Sequence, residues 1–340
     1  MDNISLDIQK CGRSVLIGKI VLIIITRLLA NMKKNKILIS VVVPVLNEEL
    51  SIKEFYQQLV NNIETYEYEI IFVNDGSKDK SQQIINDLRQ KDKKVKLINL
   101  TRNFGHQIAI TCGIDHSNGD AVIIIDADLQ DPTSMIPKMI RKWQKGFDVV
   151  YGIRKERLGE NLIKIITAKI FYKLVYLLSG KKIPENVGDF RLISKQVVQT
   201  LKTTREYQRF LRGIISWMGY KHTGLFYRRQ QRYAGETKYS TYSMIKLALD
   251  ALLSFSFFPL RIASILGTIT AFGAVGMIFY ALYVQSIGQT VKGWSSTIVI
   301  ILFLGSVQLI TIGIIGEYLG RIYEEVKRRP LYIISSKIGI

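Results

Sequence analysis

Between residues 36 and 151, short apolar runs alternate with polar stretches of helical length. The runs are ILISVVV (37–43), YEIIFVN (68–74), VKLINL (95–100), DAVIIID (120–126) and FDVVYGI (147–153). Runs this short and this rich in β-branched residues, separated by helical stretches, predict successive βα units and a mostly parallel, Rossmann-like α/β sheet. Toward the C-terminus the pattern changes. No residue is charged from Ile262 to Val284 or from Trp294 to Gly316, 23 residues in each case. A bilayer-spanning helix needs roughly 20, so the pattern predicts a two-helix transmembrane hairpin joined by QSIGQTVKG. Glycines 267, 273, 276, 305, 313 and 316 are expected to let the two helices approach closely. Upstream, STYSMIKLALDALLSFSFFPL mixes Lys246 and Asp250 with Leu, Phe and Met, and predicts an interfacial helix. The Lys-bearing apolar segment 161–178 suits a membrane surface or a soluble core equally. The expected organisation is an accessory or membrane-surface segment (1–35), an α/β domain (36–239), an interfacial helix (240–259), the hairpin (260–318) and a tail (319–340).

Charge adds orientation. The 340 residues carry a formal net charge of +19, with 47 basic and 28 acidic residues, although 48% are hydrophobic. Arg261, Arg321, Lys327, Arg328 and Arg329 flank the two spans, whereas the connector holds only Lys292. The positive-inside rule places both ends and the α/β domain in the cytoplasm, and the chain in the cytoplasmic membrane. Basic residues crowd beside the spans and form no recognisable nucleic-acid motif, which argues against DNA or RNA as a partner. Cys11 and Cys112 make no disulfide framework.

Candidate chemistry sits where ligands bind in such sheets, at the carboxyl ends of strands. These ends read PVLNEE, NDGSKD, TRNFGH, DADLQD and GIRKER. Asp126 and Asp128 would face one side of an extended segment, and adjacent carboxylates call for a hard divalent cation. Gln130 continues that alternation. His106 reads as a packed or exposed histidine rather than a catalytic one.

VVVPVLNEE (41–49), FVNDGSKD (72–79) and DADLQDP (126–132), in that order, resemble family 2 glycosyltransferases of the GT-A fold. The nearer likeness is to the membrane branch that glycosylates polyprenyl phosphates, over roughly residues 36 to 330. The resemblance implies transfer of a sugar from a nucleotide diphosphate to a polyprenyl (undecaprenyl) phosphate at the cytoplasmic face, with inversion and with Mg²⁺ or Mn²⁺. It implies that Pro44, Leu46, Asn47, Glu48, Asp75, Asp126 and Arg154 meet the donor, and that Asp126, Asp128 and Gln130 hold the metal. GDFRLIS (188–194) resembles the family's acceptor loop, giving Asp189, with Arg191 beside it and Asp128, as the catalytic set. A lipid phosphate is largely ionised at neutral pH, so Asp189 is also open to a role in orienting the acceptor. Arg232 and Lys238 of RYAGETKYS match residues that bind the lipid phosphate, with Arg228 added. Leu46 and IPENVGDFR are closer to bacterial lipid-phosphate glucosyl- or N-acetylhexosaminyltransferases than to mannose synthases, which favours a UDP-sugar over GDP-mannose. Expected partners are the nucleotide sugar, the lipid phosphate and the bilayer, with a homo-oligomer allowed. The rivals are a processive polysaccharide synthase, which would need more spans and a Gln-x-x-Arg-Trp motif where this chain has QRFLRG (208–213), and a non-catalytic nucleotide-binding membrane protein.

Overall fold

The computed structural model describes residues 37–155, 187–229, 258–287 and 293–340. The expectations for segments 1–35 and 161–178, for most of the interfacial helix, and for Arg232 and Lys238 lie outside the described residues.

All five expected strands form: β1 Leu38–Val45, β2 Glu67–Asn74, β3 Val95–Leu100, β4 Ala121–Ile124 and β5 Val149–Arg154. The first four run parallel in the order β4-β1-β2-β3. Their residues are buried almost without interruption, because helices cover both faces, and this is why the sequence shows continuous apolar runs rather than alternation. The covering helices are α1 Ile52–Ile63, α2 Ser81–Lys91, α3 His106–Asp115 and α4 Ile136–Gln144. α1 buries Ile52, Phe55, Leu59 and Ile63, one stripe at helical spacing. Pro44 is tolerated inside β1 because pairing with β4 ends at Val42, opposite Ile124.

Three further strands appear where none was expected. GDFRLIS is not a loop: β6 Val187–Ser194 runs antiparallel between β4 and β5. Its polar Asp189 and Arg191 hide the strand signal from a hydrophobicity pattern. β7 His222–Tyr227 lies parallel to β5. The expected tail holds β8 Ile334–Ile338, antiparallel to β3, which covers an edge that would otherwise offer unpaired backbone groups. The full order is β7-β5-β6-β4-β1-β2-β3-β8, a mostly parallel mixed sheet. Helices α5 Lys195–Thr203 and α6 Leu211–Trp217 follow β6.

The expected spans lie within α7 Phe258–Ser286 and α8 Trp294–Val326. Both are long and apolar enough to cross a membrane, and almost none of either is buried in protein. Phe272, Phe279 and Leu309 are among the large apolar side chains left outward, an arrangement suited to lipid. The six glycines do not pack the hairpin together as expected: a Cβ built on any of them meets nothing within 4 Å.

At the opposite end of the sheet from the strand-end loops, Glu69 ties β1, β2, β3 and the entry to β4 together. Its carboxylate accepts from Ser40 Oγ, from Asn118 N at 2.8 Å and from Lys96 Nζ at 2.7 Å, while Gly119 N donates to Ser40 Oγ at 2.8 Å. Burial pushes the Glu69 pKa up, but Lys96, Ser40 and the Asn118 N–H outweigh it and hold it below the usual value of 4.5. The stabilisation is therefore complete above that pH and lost as pH falls through it. Glu69→Ala is expected to destabilise the domain by about 3 kcal/mol at pH 7, as a broken buried pair does. In thermal melts of the full chain the gap to wild type should shrink below pH 4; a gap independent of pH would refute the charged role.

Candidate active site

The carboxyl end of β4 carries the acids. Ile125 still bonds to β1, through N to Val42 O at 3.2 Å, and then the chain turns. Leu129 has φ +60°, so the stretch 126–130 is not extended and the expected alternation of Asp126, Asp128 and Gln130 along one side does not hold. What reaches Asp128 is the backbone N–H of Gln130, at 3.1 Å from Oδ1.

Asp126 Oδ1 is buried and has no hydrogen-bond partner. The nearest cation is His106, whose Nε2 lies 3.5 Å from it and 3.4 Å from Asp189 Oδ2. The pattern predicts a packed or exposed histidine; the structure places His106 between the two acids. Burial pushes its pKa down, but Asp126 and Asp189 outweigh that and hold it at about 9, so the ring is an imidazolium at neutral pH. Asp75 delivers it there. Phe104 N donates to Asp75 Oδ1 at 2.7 Å and Gly105 N to Oδ2 at 3.0 Å, clamping the turn that begins α3 with His106. Gly105 has φ +103°, which only glycine adopts without strain. Asp75 is buried, which raises its pKa. Both of its oxygens already accept backbone N–H groups, so any base edge would have to share them.

Asp189 is held from two helices. Arg212 Nε of α6 donates to Oδ1 at 3.1 Å, Gln107 Nε2 of α3 donates to Oδ2 at 2.9 Å, and His106 approaches as described. Burial pushes the Asp189 pKa up, yet Arg212, His106 and Arg191 drive it far below the carboxylate range. A carboxylate held ionised in this way is a weak proton acceptor, which bears against a general-base role. Arg191 is only 4% exposed. Its guanidinium donates to Gly188 O at 2.7 Å and Asp189 O at 3.3 Å, under the strand, and burial lowers its pKa to about 10. The principal cation on Asp189 is thus Arg212, which comes from another helix and carries no local sequence signal.

The β1 and β2 loops interlock. Asn47, at φ +53°, accepts from Lys78 N at 2.8 Å through Oδ1 and donates its own N–H to Ser77 Oγ at 3.0 Å. Glu48 N donates to Ser81 Oγ at 2.9 Å, and Glu48 Oε2 accepts from Ser51 Oγ at 3.0 Å. Leu46 is half-buried and Asn47 exposed, at the same strand end as Pro44.

A second charged group lies beside the acids. Tyr227 OH donates to buried Asp131, Arg154 Nε donates to Tyr227 OH at 3.1 Å, and Arg154 Nη2 stands 3.8 Å from Asp131 Oδ1. Gly188 leaves room for it, since a Cβ there would meet Arg154 Nη2 at 2.5 Å. Beyond the end of β7 the order is Tyr227 buried, Arg228 exposed, Arg229 half-buried. Arg229 lies toward Arg154, Asp131 and Asp128, while Arg228, expected at the acceptor phosphate, is exposed. Burial and then Arg154 lower the Arg229 pKa, and its buried Nε has no hydrogen-bond partner.

A divalent ion fits this chemistry. Burial, with the charges of Asp131, Asp189 and Asp128, outweighs His106 and raises Asp126 to about 6, and its Oδ1, 3.5 Å from the His106 ring, accepts no hydrogen bond. Among the described residues, no three acid, His or Cys side chains form a ready-made cage. An ion held by Asp126 and Asp128 would complete its shell from phosphates and water, as Mg²⁺ commonly does.

Residues 40–202 match the family model described as glycosyl transferase family 2. The chain is 46% identical over 304 residues to an uncharacterized glycosyltransferase, YkcC, of Bacillus subtilis (strain 168), covering 88% of this chain and 94% of that one. It is 46% identical over 304 residues to the bactoprenol glucosyl transferase of Shigella phage SfX, covering 88% and 99%. A prophage bactoprenol glucosyl transferase homolog of Escherichia coli (strain K12) is 46% identical over 302 residues, covering 87% and 98%. Among solved structures, glucosyl-3-phosphoglycerate synthase of Mycobacterium tuberculosis aligns with a TM-score of 0.46 and 16% identity over 65% of this chain and 79% of that one, too loosely to carry an argument.

In protein stripped of divalent cations, the His106 imidazole should titrate near pH 9 by NMR. A midpoint near the ordinary 6.5 would show that it does not bridge Asp126 and Asp189.

Proposed function

Because the chain belongs to glycosyl transferase family 2, we propose that it moves a sugar from a UDP donor, UDP-glucose or a UDP-N-acetylhexosamine, to a polyprenyl phosphate at the cytoplasmic face of the membrane. The observation that carries this reading is the pairing, over one set of strand ends, of an acid cluster containing an orphaned Asp126 oxygen with the unpartnered Arg229 Nε. One would take a cation and the other an anion, the two charges of a metal-bound diphosphate. The relatives named bactoprenol glucosyl transferases and the two apolar helices support a lipid phosphate as acceptor.

In this mechanism Asp126 and Asp128 would hold Mg²⁺ or Mn²⁺, which would supply charge neutralisation to the departing diphosphate. Arg154 and Arg229 bind phosphate oxygens, for which a guanidinium fork is well shaped. The acceptor phosphate, already ionised, needs no base. Its oxygen forms the new bond to the anomeric carbon as the bond to the diphosphate breaks, and the electron pair leaves with the diphosphate. In-line displacement inverts the centre, giving a β-linked lipid monophosphosugar from an α-linked donor. Asp189, fixed by Arg212, Gln107 and His106, orients the acceptor side, with Arg232 and Lys238 as further phosphate ligands. The processive-synthase alternative finds little support: Gln208 bonds Arg321, while Arg212 bonds Asp189, so the QRFLRG stretch does not act as one motif.

The reaction is tested by giving the full chain in liposomes radiolabelled UDP-glucose, UDP-N-acetylglucosamine or GDP-mannose, with polyprenyl phosphate and Mg²⁺ or Mn²⁺. Label from a UDP-sugar should enter the organic phase and disappear with chelator or in Asp128→Ala. Label confined to water-soluble polymer, or drawn only from GDP-mannose, would overturn the reading. Within the same assay, Arg229→Ala should cost roughly 10- to 100-fold in turnover, the scale of one charged hydrogen bond, whereas Arg228→Ala should change it by less than about twofold, as surface substitutions do. Equal losses in the two variants would remove Arg229 from the site.

A further inference from the structure

The chain leaving the second apolar helix returns to the domain. α8 has 33 residues, about 50 Å at 1.5 Å per residue, whereas a span takes about 20. Its uncharged stretch ends at Gly316, so Glu317–Val326 project past it. There Arg321, paired with Glu317 at 3.1 Å, donates to Gln208 Oε1, and Glu325 Oε2 accepts from Tyr207 N at 2.8 Å. Farther on, Tyr332 OH donates to Asp115 Oδ2 at 2.7 Å, the same oxygen that Arg205 Nη1 grips at 2.7 Å. β8 then joins β3, with Asn99 Nδ2 donating to Ser336 Oγ at 2.9 Å.

These contacts fall on the two helices that hold Asp189, at the far end of α3 and at the lead-in to α6. Asp115 is the last residue of α3, and His106 and Gln107 are its first two. Tyr207 and Gln208 lead into α6, where Leu211 N donates to Gln107 Oε1 at 3.3 Å and Arg212 donates to Asp189. Between them, buried Arg209 donates to Thr111 Oγ1 at 3.3 Å and to Thr204 O, locking the 205–210 segment to the middle of α3. α3 is ten residues long, about 15 Å, so a tilt at Asp115 displaces His106 and Gln107. A tether would require only β8; the contacts to Tyr207, Gln208 and Asp115 do something a tether does not.

We propose that the segment from Glu317 to Tyr332, emerging from the second apolar helix, is a brace that positions Asp189 through α3 and α6, so that the seating of that helix sets the geometry of the acceptor side. Glu325, Arg321 and Tyr332 are positioning residues: none lies at the reacting atoms. The activity arm of the test rests on the proposed transfer reaction, and the exchange arm does not.

Glu325→Ala, Tyr332→Phe and the double variant are prepared as full chains in liposomes. By hydrogen–deuterium exchange, amides in 106–112 and 209–216 should exchange faster, while β3 and β8 keep their protection. In transfer assays kcat should fall about 10-fold with the KM for UDP-sugar unchanged. Combined with Arg212→Lys, the losses should be less than multiplicative, because both act on one carboxylate. Exchange altered only in 327–338, no exchange change at all, or losses that multiply would each overturn the brace. Wild-type protein that transfers no sugar to lipid phosphate would sink the reaction, and exchange would still decide the brace.

Discussion

Four carboxylates, Asp126, Asp128, Asp131 and Asp189, converge on the carboxyl ends of one sheet, and the site exists only because cations from other elements offset their repulsion. Asp189 is the clearest case. Its side chain is almost wholly enclosed by protein, yet it remains ionised because Arg212 from α6, Gln107 and His106 from α3, and Arg191 from its own strand surround it. Asp131 relies on Arg154 and Tyr227. Asp126 faces His106 at 3.5 Å through an oxygen that accepts no hydrogen bond, and burial among its acidic neighbours raises its pKa.

The same balance extends to the arginines. Arg191 is buried against carbonyls and Arg212 against Asp189, so both are consumed by the scaffold. Arg229 sits next to another cation with its Nε unsatisfied. A half-buried guanidinium in that state is favourable only if an anion completes it. In the proposed reaction a nucleotide diphosphate with its metal would meet both the acids and this guanidinium.

The frame serves this arrangement. Glu69 and its partners close the sheet at the amino ends of the strands, leaving the carboxyl ends free to carry charge. β8 covers the β3 edge and, in doing so, returns the chain from the second apolar helix to the domain. The contacts around Tyr207 and Asp115 lie at the lead-in to α6 and at the far end of α3, the helices that hold Asp189, so the sheet edge and the apolar helix are linked to that carboxylate.

The sequence by itself determined the parallel core, the two apolar helices and the acids at the end of β4, because each is written locally: β-branched runs with period-sized gaps, 23-residue uncharged stretches, and Asp-x-Asp after a strand. It did not show β6, whose Asp189 and Arg191 break the hydrophobic pattern, or β8, whose short polar stretch gains its ladder only from a distant partner. The alternation assumed for Asp126, Asp128 and Gln130 failed at the positive φ of Leu129, a backbone choice that residue type does not announce. Only the tertiary structure decided that His106 bridges two acids, that Arg212 rather than Arg191 is the principal cation on Asp189, and that Arg229 rather than Arg228 faces inward. Those are contacts between residues up to a hundred positions apart in the chain, and charge pairing over such separations is set by where helices and strands pack, not by any local spacing.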